Sequence, residues 1–319
     1  MYKISEIETI LKAEKRKIKI ILPEGEEEKI QKVATYLVEN DICEPILLFQ
    51  NKINENLDRR IRQINVSEID VDNYAKDFME IRKGKVENIE EVKKLVSKSN
   101  YLANMMIYKH EADCVLCGLS YTTADTLRPA LQIIKTKPGV SVASSIIIMH
   151  KGEQYYFFGD CSLNLNPTSR QLADITKSFV DFARKMNVND PKVALLSYST
   201  NGSGLGPDVD KIREAKEILN KEKVDFKFDG EIQFDAAFCK EVRNKKFKNS
   251  KIDSESADIF VFPTLDAGNI GYKIAQRMGG FEAIGPIILG LNKPVNDLSR
   301  GANLEDIIQA AVLTAYMVI

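Results

Sequence analysis

Apolar positions in this chain fall into short unbroken runs separated by amphipathic stretches, the alternation expected of strands buried on both faces and of crossover helices. Residues 18–22 (IKIIL) read as a strand, Pro23-Glu24-Gly25 turns the chain, and Ile30, Val33, Ala34 and Leu37 mark one face of a helix before a second strand at 44–49 (EPILLF). Strand, helix and strand at this spacing predict a βαβ unit and a parallel sheet. Residues 54–98 are charged and read as mostly helical. The next strand, at 112–118 (ADCVLCG), runs through Thr122 and Thr123 into a helix carrying Arg128. Either threonine can cap that helix, which sets its positive end and free N–H groups at the sheet's carboxyl edge, where open α/β sheets bind ligands.

Lys137-Pro138-Gly139 is a break, and a domain boundary is expected near residue 138. Apolar runs at 140–149 and 155–159, joined by Lys151-Gly152, predict an antiparallel pair at the edge of a new unit. An amphipathic helix with Leu172, Ile175, Phe179 and Phe182 on one stripe follows, then a buried-type strand at 192–197 and a Gly/Ser-rich loop at 198–207. That loop lacks the Gly-Lys-Ser/Thr of a phosphate-binding NTPase loop and does not complete GxGxxG, so NTP hydrolysis and a standard NAD fingerprint are both disfavoured. Residues 229–237 read as a loop entering a helix, 257–263 as the last strong strand, and 307–318 as an apolar helix buried against a domain or a subunit partner.

One stretch, residues 293–306 (KPVNDLSRGANLED), reads as too polar for core and too specific for a linker. Ser299 and Arg300 offer a donor and a two-pronged cation suited to a phosphate, Gly301 permits a sharp turn, and Asn303 can cap a helix whose first turn holds Glu305 and Asp306. Two readings stay open on these residues: an anion site, or a capping box between Asn303 and Asp306 with Arg300 a surface partner of Asp297.

Charge narrows the classes. With 45 basic and 46 acidic residues, a net −1, there is no electrostatic case for nucleic acid or an anionic membrane surface, so basic residues act locally, as at Arg82-Lys83-Gly84-Lys85. No apolar run is long enough to span a bilayer and the N-terminus has no signal core, so a cytoplasmic protein is expected. Five cysteines fit a reducing compartment, and Cys114-x-x-Cys117, inside an apolar run and without a second pair, reads as buried thiols with no metal.

Blocks at 122–139, 166–168, 196–200, 229–230 and 293–301 together make the chain resemble the phosphate acetyltransferases (phosphotransacetylases) of the phosphate acetyl/butyryltransferase family. The resemblance implies a two-domain isocitrate/isopropylmalate-dehydrogenase-like α/β fold, with mostly parallel sheets flanked by helices and an interdomain cleft. The first domain would comprise 1–138 plus 290–319 and the second 139–289, in a homodimer. The implied reaction is acetyl-CoA + phosphate ⇌ CoA + acetyl phosphate, by direct attack of the coenzyme A thiolate in a ternary complex, with coenzyme A as substrate and no covalently bound cofactor or metal. Ser299, Arg300 and Asp306 match the catalytic cluster, and Arg128 and Arg82 match cations that contact coenzyme A or the acyl phosphate. Thr122, Thr123, Ser144, Ser197, Ser199 and Asn296 complete the expected substrate contacts. A butyryl-preferring enzyme and a non-catalytic acetyl-CoA-sensing domain of the same fold are the alternatives; the sequence at 295–301 favours acetyl, and the retained cluster favours catalysis.

Overall fold

The computed structural model describes residues 1–319. Its strands follow in order as β1 (Lys19–Leu22), β2 (Glu44–Phe49), β3 (Arg62–Asn65), β4 (Cys114–Cys117), β5 (Ser144–Lys151), β6 (Gln154–Gly159), β7 (Val193–Leu196), β8 (Phe228–Ile232), β9 (Ile259–Val261), β10 (Glu282–Leu289) and β11 (Val295–Asp297). The chain folds as two units, one from Tyr2–Lys137 with Leu291–Ile319 and the other from Pro138–Gly290.

In the first unit five parallel strands lie in the order β11-β4-β1-β2-β3. Ile20, Ile21, Val115 and Leu116 are fully buried, as the apolar runs require of strands covered on both faces. The helix Glu28–Glu39 buries Ile30, Val33, Ala34 and Leu37, the predicted face. The helix Leu304–Tyr316 packs on the helices Ile4–Ala13 and Glu28–Glu39 and on β1 and β4, so its apolar residues are used within their own unit. The chain steps from β1 outward to β2 and β3, then from β4 outward the other way to β11. The strand order therefore reverses between β1 and β4, and their carboxyl ends flank the crevice that such a reversal opens.

Polarity hid two strands of this unit. β3 is a four-residue edge strand, RQIN, in which only Ile64 is buried, so no apolar run announces it. β11 lies inside the stretch read as too polar for core, yet Val295, Asn296 and Asp297 are all buried. Their polar groups are tolerated because they find partners: Asn296 Nδ2 donates to Thr314 Oγ1 at 2.8 Å, and Asp297 accepts from Thr123.

The second unit holds a six-stranded sheet, β10-β5-β6-β9-β7-β8, antiparallel from β10 to β6 and parallel from β6 to β8. The β5–β6 pair is antiparallel as predicted but lies inside the sheet, because β10 pairs along the outer side of β5. Residues 228–232 form β8 where the sequence reads as a loop, since Asp229 and Glu231 break its apolar pattern. Both are buried and paired, Asp229 with Lys216 at 2.7 Å and Glu231 with Arg213 at 3.1 Å. No helix is long and apolar enough to cross a membrane.

Candidate active site

Three strand ends of the first unit build the site. The exit of β11 is pinned to β4 by Leu298 N donating to Cys117 O at 2.7 Å. Gly118, directly after β4, has φ +114°, and a Cβ there would lie 2.3 Å from Asp297 Oδ1 and 2.7 Å from Leu298 N. Only glycine accommodates both the backbone and the approach. Asp297, 5% exposed, accepts from Thr123 Oγ1 at 2.7 Å through Oδ2, while Oδ1 has no hydrogen-bond partner. Burial pushes its carboxyl upward, and the Thr123 and Thr126 hydroxyls pull against that.

Of the two readings left open by the sequence, the surface pair of Arg300 with Asp297 is absent, since Asp297 turns to Thr123 and Arg300 is exposed with no ion pair. Ser299 begins a tight turn in which its Oγ accepts from Gly301 N at 3.3 Å and its carbonyl from Ala302 N at 2.9 Å. Lys29 Nζ donates to Ala302 O at 2.8 Å and fastens the turn to the helix after β1. Asn303 then caps the last helix. Its side chain accepts from Asp306 N, and its N–H donates to Asp306 Oδ2, both at 2.9 Å. The capping box and the unpaired arginine therefore coexist.

After β4 the chain turns under Glu24, which the sequence presented only as part of a turn. Its carboxylate accepts from the N–H groups of Gly118, Leu119, Ser120 and Tyr121 and from Ser120 Oγ, at 2.5–3.2 Å. Thr122, the first of the two candidate caps, accepts from Asp125 N at 3.2 Å and starts the helix Thr123–Pro129. Arg128 is exposed and Arg82 half-buried with its Nε unpartnered. Burial raises the Tyr101 hydroxyl, and the Arg128 and Arg82 guanidinium charges oppose that rise. Neither has a carboxylate partner, in contrast to Arg16, Arg60, Arg170 and Arg213.

Ser144, Ser197 and Ser199 belong to the second unit. Ser144 is fully buried and its Oγ has no hydrogen-bond partner. Ser199, also fully buried, donates to Glu231 Oε1 at 3.0 Å and accepts from Gly204 N at 2.8 Å, so its hydroxyl shapes the Gly/Ser loop instead of facing outward. Asn296, in the first unit, likewise spends its amide within the fold, donating from Nδ2 to Thr314 Oγ1. Ser197 is half-buried and accepts from Ser199 N.

Glu231 anchors that loop. Burial works against its carboxylate, but Arg213, the Gly202 amide and the Ser199 hydroxyl outweigh it and hold the group at about 2, against an ordinary 4.5. With the folded value depressed, the stabilisation is fully present above about pH 4.5 and is lost as pH falls towards 2. Glu231→Gln is expected to cost on the order of 2 kcal/mol near neutrality, discounted because the Arg213 side chain is 32% exposed. Urea unfolding of both proteins at neutral pH and near pH 3 checks this. A gap that fails to shrink at the lower pH contradicts it.

All five cysteines are free, and burial pushes the thiols of Cys114, Cys117 and Cys161 well up. No group of three or more His, Cys, Asp and Glu side chains is arranged to hold a metal ion.

The family described as Phosphate acetyl/butaryl transferase matches residues 4–315. The chain is 51% identical over 323 residues to a phosphate acetyltransferase of Mycoplasma capricolum subsp. capricolum, covering 99% of each. A solved phosphotransacetylase from Streptococcus pyogenes is 42% identical, with a TM-score of 0.92 over 99% of each chain. A 4-hydroxythreonine-4-phosphate dehydrogenase from Burkholderia phymatum, 12% identical, covers 95% of this chain and 99% of its own at a TM-score of 0.55, and shares the fold alone. By a match that spans nearly its whole length, at an identity far above what fold alone maintains, this chain belongs to the phosphate acetyl/butyryltransferase family.

Proposed function

We propose that this chain is a phosphate acetyltransferase, interconverting acetyl-CoA and phosphate with coenzyme A and acetyl phosphate. The observation that carries the assignment to this site is Arg300, exposed and without an ion pair on the turn that follows buried β11, beside the Ser299 hydroxyl. In the direction of acetyl-CoA synthesis the coenzyme A thiolate attacks the carbonyl carbon of acetyl phosphate. The C–S bond forms, the tetrahedral oxyanion collapses, and the C–O bond to phosphorus breaks to release phosphate. Arg300 holds the phosphoryl group and offsets the charge that develops on it, and Ser299 donates to the oxyanion or to the departing phosphate. Arg128 and Arg82 supply the cationic contacts for coenzyme A or the acyl phosphate.

Asp306 is the carboxylate available to take the thiol proton. For free groups that transfer, from a thiol near 8.5 to an aspartate near 3.9, costs roughly 6 kcal/mol. Asp306 also already accepts an N–H as part of the helix cap. Cations that stabilise the thiolate must therefore contribute at least as much as the base. Initial rates of acetyl-CoA formation with both substrates varied test this route. Intersecting lines and full activity after thiol blocking are expected; parallel lines with a trapped acetyl-enzyme would replace the ternary complex by a covalent route.

We also assign a cytoplasmic homodimer. The helix Leu265–Arg277 and the residue after it expose Ile270 (57%), Ile274 (53%) and Met278 (85%) one turn apart, an apolar stripe that fits a second copy. Sedimentation should give twice 36.0 kDa, and Ile270→Glu with Ile274→Glu should halve it. A wild-type mass of one chain would remove the dimer.

A further inference from the structure

Four consecutive amides after β4, those of Gly118 to Tyr121, converge on a single side chain, Glu24 at the end of β1. Successive N–H groups gathered about one negative group form an anion nest. Here the anion is the chain's own carboxylate, 4% exposed and served in addition by Ser120 Oγ. No phosphate can use those amides while Glu24 holds them. Beyond the nest, Thr123 donates to Asp297, the buried carboxylate two residues before Ser299. The loop and the helix that carries Arg128 are thus gripped from both sides, by one carboxylate two residues past β1 and one from β11.

We propose that Glu24 is a positioning residue for acyl transfer: by filling the nest it fixes the path of residues 118–122, and so sets Thr123, Arg128 and, through Asp297, the Ser299–Arg300 turn. Its kinetic consequences rest on the acetyltransferase reading above. The simpler account is that Glu24 only stabilises the fold, and the two differ in what they do to the folded enzyme. A purely stabilising carboxylate changes the melting temperature but leaves the constants of folded molecules alone. A positioning one changes kcat and the phosphate KM well below the melting temperature, since a displacement of about 1 Å at a reacting site can cost 10²-fold.

The test is steady-state kinetics of wild type, Glu24→Gln and Glu24→Asp at a temperature well below each melting transition. Glu24→Gln keeps the volume but turns an amide nitrogen towards N–H donors that need an acceptor, and Glu24→Asp keeps the charge on a shorter arm. With acetyl-CoA as co-substrate, both should lose roughly 10- to 100-fold in kcat over the phosphate KM. Glu24→Asp retains the internal anion and is the variant to rely on if Glu24→Gln does not fold. Wild-type constants in any folded variant, whatever its melting temperature, overturn the proposal. An inactive wild type would instead sink the acetyltransferase reading, so the two failures are distinguishable.

Discussion

Arg300→Gln is expected to lower kcat by about 10²–10³, the usual cost of removing one preorganised group that stabilises developing charge. Glutamine keeps most of the length and a donor but loses the fixed charge and the two-pronged geometry that suits a phosphoryl group. Arg300 has no ion pair to lose and is exposed on a turn held by Ser299, Ala302 and Lys29, so the fold should be little affected. Asp306→Asn is the informative companion. Asparagine can still accept the Asn303 N–H, so the capping box survives and only the basicity goes. A loss of about tenfold or less in kcat is expected there, because proton removal is shared with the arginines' effect on the thiol. Steady-state kinetics of both variants decide the order. A larger loss at Asp306 with unchanged KM would make it the dominant base and Arg300 secondary.

Gly118→Ala should be the most damaging single methyl group in the first unit. At φ +114° any L side chain is strained, and the added Cβ would collide with Asp297 Oδ1, Leu298 N and Leu298 O, all within 2.9 Å. Two of those atoms are backbone of the segment leaving β11, which is itself held by the Leu298–Cys117 hydrogen bond. Relief therefore requires β4 and β11 to part or the Glu24 nest to open. A destabilisation of about 3 kcal/mol or more follows, at the upper end of what single substitutions cost. Denaturant unfolding measures it, and turnover should fall with it. A variant within about 1 kcal/mol of wild type would mean that the strand ends are far more pliable than this packing implies.

What was legible in the sequence was local or apolar. The buried runs of β1, β2, β4, β7 and β9 declare themselves, as does the amphipathic face of Glu28–Glu39. Thr122 and the Asn303–Asp306 box could be foreseen because a cap is made within three residues. β3 was hidden because it is a short edge strand with one buried residue, and β8 and β11 because Asp229, Glu231 and Asn296 meet partners that only the folded chain brings close. The same reason hid Glu24. Its donors lie 94 to 97 residues away, and Asp297 and Thr123 are 174 apart, so nothing in Pro23-Glu24-Gly25 signals more than a turn. A buried carboxylate just past a parallel strand, opposite a Gly-led turn after its neighbour, was the available signal, but it becomes one only when the strand order is known.

Acetyl transfer is tested most directly by supplying coenzyme A with acetyl phosphate and, in parallel, with butyryl phosphate, and following thioester formation. Turnover of acetyl phosphate is expected with kcat/KM at least about tenfold above that for butyryl phosphate, the scale on which a pocket discriminates by methylene groups. Preference for butyryl phosphate would contradict the acetyl assignment. Turnover of neither would contradict the enzyme itself and leave a domain that only binds acetyl-CoA.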